Sequence, residues 1–187
     1  MAIKIYIDQG HNPRSPNTGA EGNGLREQDI TYTVGQELAA LLRQNGNFEV
    51  RLSRPTEETQ VGTTNAGSLV ARAGAANDWG ADYFISIHTN AASDPAANGS
   101  EQLVYRLAGD AYRLALAIAA QLSAVTGLRD RGVIARPGLY VLRRTAMPAV
   151  LSELGFITNP GDAALMAARP DLFAMGLYRG ILAHLGL

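Results

Sequence analysis

Two of the three histidines in this chain directly follow strand-like runs. His11 comes after Ile3, Ile5 and Ile7, in Asp8-Gln9-Gly10-His11, and His88 closes Tyr83-Phe84-Ile85-Ser86-Ile87-His88. Layered α/β sheets collect their ligands at such strand ends. His184 lies on the last helical segment and fits no such edge. Taken alone, two such histidines favour ordinary hydrogen-bonded loop residues over a shared metal.

Glu27 shifts that balance. At about 100° per residue it falls in the middle of the stripe made by Ile30, Val34, Leu38 and Leu41. A carboxylate on the core face needs a partner, because an unpaired buried charge is costly. Complementing the positive end of the helix explains a first-turn glutamate, but not one on the apolar face. Glu153 is the fourth candidate. It ends the apolar run Pro148-Ala149-Val150-Leu151-Ser152, which delivers a carboxylate to the same edge as the histidines. The plain structural alternative pairs it with an arginine such as Arg72 or Arg131, and without the other three residues that pairing is the better reading.

Together the four make a device. Two imidazoles and one carboxylate form a three-ligand zinc site with one position open, and zinc lowers the pKa of water held there to roughly 7. A nearby glutamate can take the proton as the water attacks a carbonyl, then pass it to the departing nitrogen. Mixed nitrogen and oxygen ligation suits zinc better than calcium or magnesium. No His-Glu-x-x-His helix is present, so the common helical metalloprotease arrangement is excluded.

These residues need a scaffold, and the pattern supplies one. Strand-like segments are expected at Ile3–Ile7, Phe48–Leu52, Tyr83–His88, Leu103–Arg106, Leu139–Leu142 and Ala149–Glu153. Helical spacing covers Ile30–Leu42, Leu69–Trp79, Leu114–Val125 with Gly127 as its stop, a short segment opened by Pro160, and Leu172–Leu185. Alternating strands and helices argue for a single layered α/β domain over residues 1–187, with a largely parallel sheet of about six strands. A Gly/Asn/Pro-rich loop from Gly10 to Gly24 separates the first strand from the first helix.

Composition agrees with an ordinary globular domain, at 47 % hydrophobic and 18 % charged residues. A net charge of -1 leaves no basic field to gather nucleic acid. The absence of cysteine excludes disulfides, thiolate ligands and a cysteine nucleophile. No apolar run is long enough to span a membrane, and no signal peptide is visible after Met1.

Four segments carry a family resemblance. They are Ile7-Asp8-Gln9-Gly10-His11, Gly24-Leu25-Arg26-Glu27, Phe84-Ile85-Ser86-Ile87-His88-Thr89-Asn90, and the long stretch from Val141 through Met147-Pro148 and Ser152-Glu153-Leu154-Gly155-Phe156 to Asn159. In this order they resemble the zinc-dependent N-acetylmuramoyl-L-alanine amidases of cell-wall hydrolases, sporulation proteins and phage endolysins. The resemblance covers nearly the whole chain. It implies a three-layer α/β/α sandwich around a mixed sheet. It also implies one Zn²⁺ held by His11, Glu27 and His88, with Glu153 as general base, and peptidoglycan as substrate, cut between N-acetylmuramic acid and L-alanine. The family often has a second glycine after the first histidine. Here Asn12-Pro13 follows, so the loop from Asn12 to Asn23 is expected to shape substrate access in its own way.

Secondary candidates lie nearby. Arg72, Asn77 and Asn90 are close to the family segments, and Asn90 would either bond substrate or orient its loop. Relatives also carry a glutamate at the position of Glu101, which would fix the tautomer of a zinc-bound histidine. Arg131, before Gly132 in an expected loop, would either meet an acidic peptide stem or be an ordinary solvated surface arginine. Trp79 and Tyr83 read as core packing rather than a sugar platform. Action on the cell wall implies secretion or release by lysis, and a monomer is the default; with no wall-binding module expected between the last helix and Leu187, the chain reads as either a stand-alone catalytic domain or a fragment of a longer enzyme. Two rivals remain: a zinc carboxypeptidase acting on peptidoglycan stem peptides, and a non-catalytic cell-wall-binding domain on the same fold.

Overall fold

The computed structural model describes residues 2–187. In chain order the elements are β1 (Ile3–Gln9), β2 (Glu21–Gly22), β3 (Leu25–Arg26), α1 (Glu27–Asn45), β4 (Phe48–Leu52), α2 (Asn65–Trp79) and β5 (Tyr83–Asn90). There follow β6 (Ser100–Val104), α3 (Gly109–Thr126), β7 (Asp130–Ala135), α4 (Tyr140–Arg144), β8 (Ala149–Phe156), α5 (Pro160–Ala168) and α6 (Pro170–Leu185). Six strands form one sheet in the order β4-β1-β5-β8-β6-β7, and β2 pairs with β3 in a separate ribbon. All neighbours in the main sheet are parallel except β6 and β8. The sheet is therefore mixed, with β6 and β7 running against the other four.

Alternation along the central strands sends side chains to two apolar layers. Ile5, Ile7, Ile85, Ile87 and Val150 face α1, α3 and α6, where they meet Val34, Leu38, Ile118 and Leu177. Tyr6, Phe84, Leu103 and Leu151 face α2 and α4, where they meet Ala76, Val141 and Leu142. The result is the expected three-layer sandwich. Helices α3 and α6 approach closely because α6 presents glycines. A Cβ on Gly180 would lie 2.6 Å from the Ile118 Cα, and one on Gly176 would lie 3.0 Å from the Leu122 Cα.

The helix ends follow local chemistry. Thr64 accepts from Gly67 at the start of α2, one turn before the expected Leu69. Asn159 caps α5 through Gly161 and Asp162. Gly127 ends α3 in the left-handed conformation, as its position predicts.

Two strand expectations are corrected. Leu139–Leu142 is not a strand; Tyr140–Arg144 is a single helical stretch, with Val141 and Leu142 buried and Arg143 exposed. A run of four apolar residues fits a buried strand or a helical turn equally well. The sixth strand is instead β7, whose first residues Asp130, Arg131 and Gly132 hide it from hydrophobic patterning. In addition, β6 begins at Ser100 and ends at Val104, so Tyr105 and Arg106 lie beyond it. No helix among the described residues is long and apolar enough to cross a membrane.

Candidate active site

The site grows from the edge where β1, β5 and β8 end and β6 and β7 begin. On β5 and β8, His88 and Glu153 are register partners; on β8 and β6, Glu153 and Glu101 are register partners. The three point to the α2/α4 face, as Phe84, Leu151 and Leu103 do farther along the same strands. His11 follows β1 with φ of 67°, a left-handed backbone that non-glycine residues seldom adopt and that often marks a functional position.

Glu27 sits between the two histidines. Its Oε2 is 3.2 Å from His11 Nε2, and its Oε1 is 3.1 Å from His88 Nδ1. The main-chain N–H groups of Ala20 and Thr89 donate to Oε2 and Oε1 at 2.8 and 2.9 Å. The imidazoles meet edge to face, with centroids 4.8 Å apart. Two glycines admit this crowding. A Cβ on Gly10 would lie 2.5 Å from His88 Cε1, and one on Gly19 would lie 2.6 Å from Glu27 Oε2.

This donor set fits a metal of zinc's type. One ligand atom from each of His11, Glu27 and His88 lies within 4.8 Å of the others. Two imidazoles, which are borderline donors, and one hard carboxylate oxygen make the mixed nitrogen and oxygen set that suits zinc.

The electrostatics separate the two carboxylates. Burial works against the charge on Glu27, but hydrogen bonds from His11 and His88 prevail and hold it well below the usual carboxylate range. Burial likewise opposes charge on His88, and the Glu27 carboxylate outweighs it and raises its pKa. Glu153 has no such support. Burial pushes its pKa up to about 7; His88 pulls it down, while Glu27 and Glu101 push it further up. Its Oε2 is buried without a hydrogen-bond partner among the described residues.

Arg72 is buried away from solvent, not paired with Glu153. Its guanidinium pairs with Asp8 at 2.7 Å and donates to the carbonyls of Gln9 and His11 and to Asn12 Oδ1. It therefore sets the His11 loop. Asp8 also accepts from Ser86. Burial opposes its charge, yet Arg72 prevails and lowers its pKa. Asn12 is buried. Its amide donates to Pro16 and Val61 carbonyls and accepts from Val61 N–H, so it pins the loop it opens.

Glu101 does not contact a histidine, contrary to expectation. It accepts from Asn90 Nδ2 at 2.9 Å and from Arg131 Nε at 2.9 Å. Because β6 lies beyond β8, Glu153 stands between Glu101 and His88. Asn90 is spent on Glu101 and on the N–H of Ala91, which orients the loop. Asn77 ties α2 to the end of α4 through Arg144 O and Ala146 N. Trp79 and Tyr83 pack against the core. His184 pairs with Asp110, outside the site. Beneath the histidines, a cavity of about 110 Å³ is lined by Gly10, His11, Arg72, His88, Val141 and Leu151 among others. Sequence reasoning gave no role to Asp8 and read Asn12 only as a change in the loop after His11. The signal for Asp8 was available: a charge on the same strand face as Tyr6.

A layered α/β sheet with an imidazole and carboxylate cluster at one edge has the architecture of a hydrolase domain able to hold a metal ion. The family model described as N-acetylmuramoyl-L-alanine amidase matches residues 5–183. The chain belongs to this family. It is 38 % identical over 182 residues to the N-acetylmuramoyl-L-alanine amidase CwlM of Bacillus licheniformis, covering 95 % of this chain and 65 % of that protein. It is 35 % identical over 185 residues to the amidase LytC of Bacillus subtilis, covering 96 % of this chain and 35 % of that one. The chain thus spans less than two thirds of either relative. An N-acetylmuramoyl-L-alanine amidase from Clostridium difficile 630 superposes with a TM-score of 0.88 at 30 % identity, over 99 % of this chain and 97 % of that one. The CwlV catalytic domain from Bacillus (Paenibacillus) polymyxa var. colistinus superposes at 0.86 with 28 % identity, over 98 % of each.

Proposed function

We propose that this chain is a zinc-dependent N-acetylmuramoyl-L-alanine amidase domain that acts on the cell wall. It hydrolyses the amide between the lactyl group of N-acetylmuramic acid and L-alanine. His11, Glu27 and His88 hold one Zn²⁺, and Glu153 is the general base. Zinc, when bound, supplies a Lewis acid for the scissile carbonyl and acidifies water.

The single observation that carries this reading is the position of Glu153. Its Oε2 is buried with no hydrogen-bond partner among the described residues, and the residue is register-paired with His88, beside a cluster that offers three metal donors. A base poised near neutrality can accept a proton from water and return it to the leaving nitrogen. Burial raises the Glu153 carboxyl toward that range, and a zinc ion beside it would act in the opposite sense. Water adds across the C–N bond, leaving a carboxylic acid on the sugar side and an amine on the peptide side. Arg72 and Asn12 fix the loop that carries His11, and Gly10 and Gly19 leave room for the imidazoles.

Glu153→Ala tests this directly. The variant is expected to fold and to bind zinc as wild type does, yet to lose ~10²–10⁴-fold in turnover. Activity within a few-fold of wild type contradicts the assignment.

A further inference from the structure

The strand order gives the substrate a direction. Across the edge, the candidate metal residues lie on or beside β1 and β5, the base on β8, Glu101 on β6 and Arg131 on β7. Glu153 therefore stands on the β7 side of the histidines. A proton returned by Glu153 meets the leaving nitrogen on that side. The amine half of the substrate, the peptide stem, then runs over β6 toward β7, and the acyl half lies toward β1.

Arg131 waits along that path. The parallel β6–β7 register slips between Ser100 and Gln102, which pair with Asp130 and Val133, so Arg131 and Gly132 together oppose Glu101. Such a bulge re-aims a side chain. Here it brings the guanidinium to Glu101, where Nε donates at 2.9 Å. The Glu101 carboxylate is fixed in turn by Asn90. The Arg131 Cζ lies 4.9 Å from the centroid of the Phe156 ring, and Nη1 donates to the Asn98 carbonyl. Nη2 has no partner among the described residues, and the residue is exposed. A guanidinium locked by a carboxylate and a ring, with one edge left open, is arranged to receive a second carboxylate. The spacing also fits. Two strand spacings separate β8 from β7, about 10 Å. A carboxylate on the second stem residue lies about 7 Å from the scissile nitrogen, and the arginine side chain reaches back across the difference.

We propose that Arg131 is a specificity-determining residue that binds the free carboxylate of the second residue of the peptide stem. This rests on the amidase reading above. Glu101 is the positioning residue that holds it.

Two muramoyl dipeptides test the proposal, identical except that the second residue carries a free α-carboxylate or its carboxamide. Zinc-loaded wild type is expected to prefer the acid by roughly 10–100-fold in kcat/KM, the worth of a charged hydrogen bond. The difference should fall mainly in KM. In Arg131→Met the acid-to-amide ratio falls toward one, and Arg131→Lys restores part of it. Titration of the free alanyl dipeptides into Glu153→Gln protein should show the same preference without turnover, and its loss in the double variant. Equal cleavage of both substrates by wild type overturns the proposal. So does an Arg131→Met protein that loses rate while keeping the ratio, since Arg131 then acts only by shaping the Glu101 and Glu153 row. If wild type cleaves neither substrate, the amidase reading fails, and the binding titration alone decides for or against Arg131.

Discussion

Arg72, in the middle of α2, reaches 61 residues back along the chain and donates to the main-chain carbonyl of His11. The same guanidinium neutralises buried Asp8. One side chain therefore secures the end of β1 and the backbone of a candidate metal ligand. Arg72→Met should lower stability by about 3–5 kcal/mol, because it strands a buried carboxylate. Urea unfolding measures this. Asp8→Asn added to Arg72→Met should recover part of the loss, and a double variant no more stable than the single one would contradict the pairing.

Glu153 makes its own contribution to pH dependence. Its folded pKa of about 7 lies above its unfolded value, so its contribution to stability is fully present below the unfolded pKa. That contribution is lost as pH rises through about 7. In chelated protein, Glu153→Gln should therefore match wild type near pH 4, below the unfolded pKa. Near pH 8 it should exceed wild type by about 3 kcal/mol at most. Denaturant melts near pH 4 and near pH 8 give the comparison. A variant equally stable relative to wild type at both would show that the carboxyl is not raised.

Glu27 works the other way. Its pKa is depressed, so its contribution is present above the unfolded carboxylate pKa and is lost as pH falls through the folded value. As a candidate ligand it has a second readout. Glu27→Gln should weaken zinc binding by more than the roughly 10–100-fold that loss of an outer partner costs. Competition with a chromogenic chelator measures the affinity, and an unchanged value would remove Glu27 from the ligand set.

Gly10 is a test of space. A methyl group there meets the His88 ring at 2.5 Å and the Ile87 carbonyl at 2.6 Å, and the carbonyl belongs to the sheet and cannot swing aside. Gly10→Ala should cost about 1–3 kcal/mol of stability and weaken zinc binding as His88 shifts. Gly74→Ala, with nothing within 4 Å, is the control. Equal effects at the two positions would contradict the crowding.

The parts of the site that were legible in sequence share one property: each could be read locally. His11 and His88 end strand patterns, Glu27 lies on an apolar helical stripe, and Glu153 ends a buried run. What was not legible depends on direction and register. The carboxyl-end rule finds residues on β1, β5 and β8, but β6 and β7 run the other way and bring their first residues to the same edge. Glu101 was therefore assigned to a histidine it does not touch, and Arg131 was separated from it. The β7 strand itself was hidden by its charges and by Gly132, and Leu139–Leu142 has too few residues to distinguish a strand from a helical turn. Arg72 could be singled out, but its partners Asp8 and His11 are joined to it only by the fold.

The most direct test of the central claim is mass spectrometry of purified cell wall digested with the zinc-loaded protein, beside a Glu153→Ala control. Intact peptide stems with new L-alanine amino termini, absent from the control digest, are the predicted result. Shortened stems with freed carboxyl-terminal residues would contradict it in favour of a carboxypeptidase, and wall binding without any product would contradict it in favour of a non-catalytic domain.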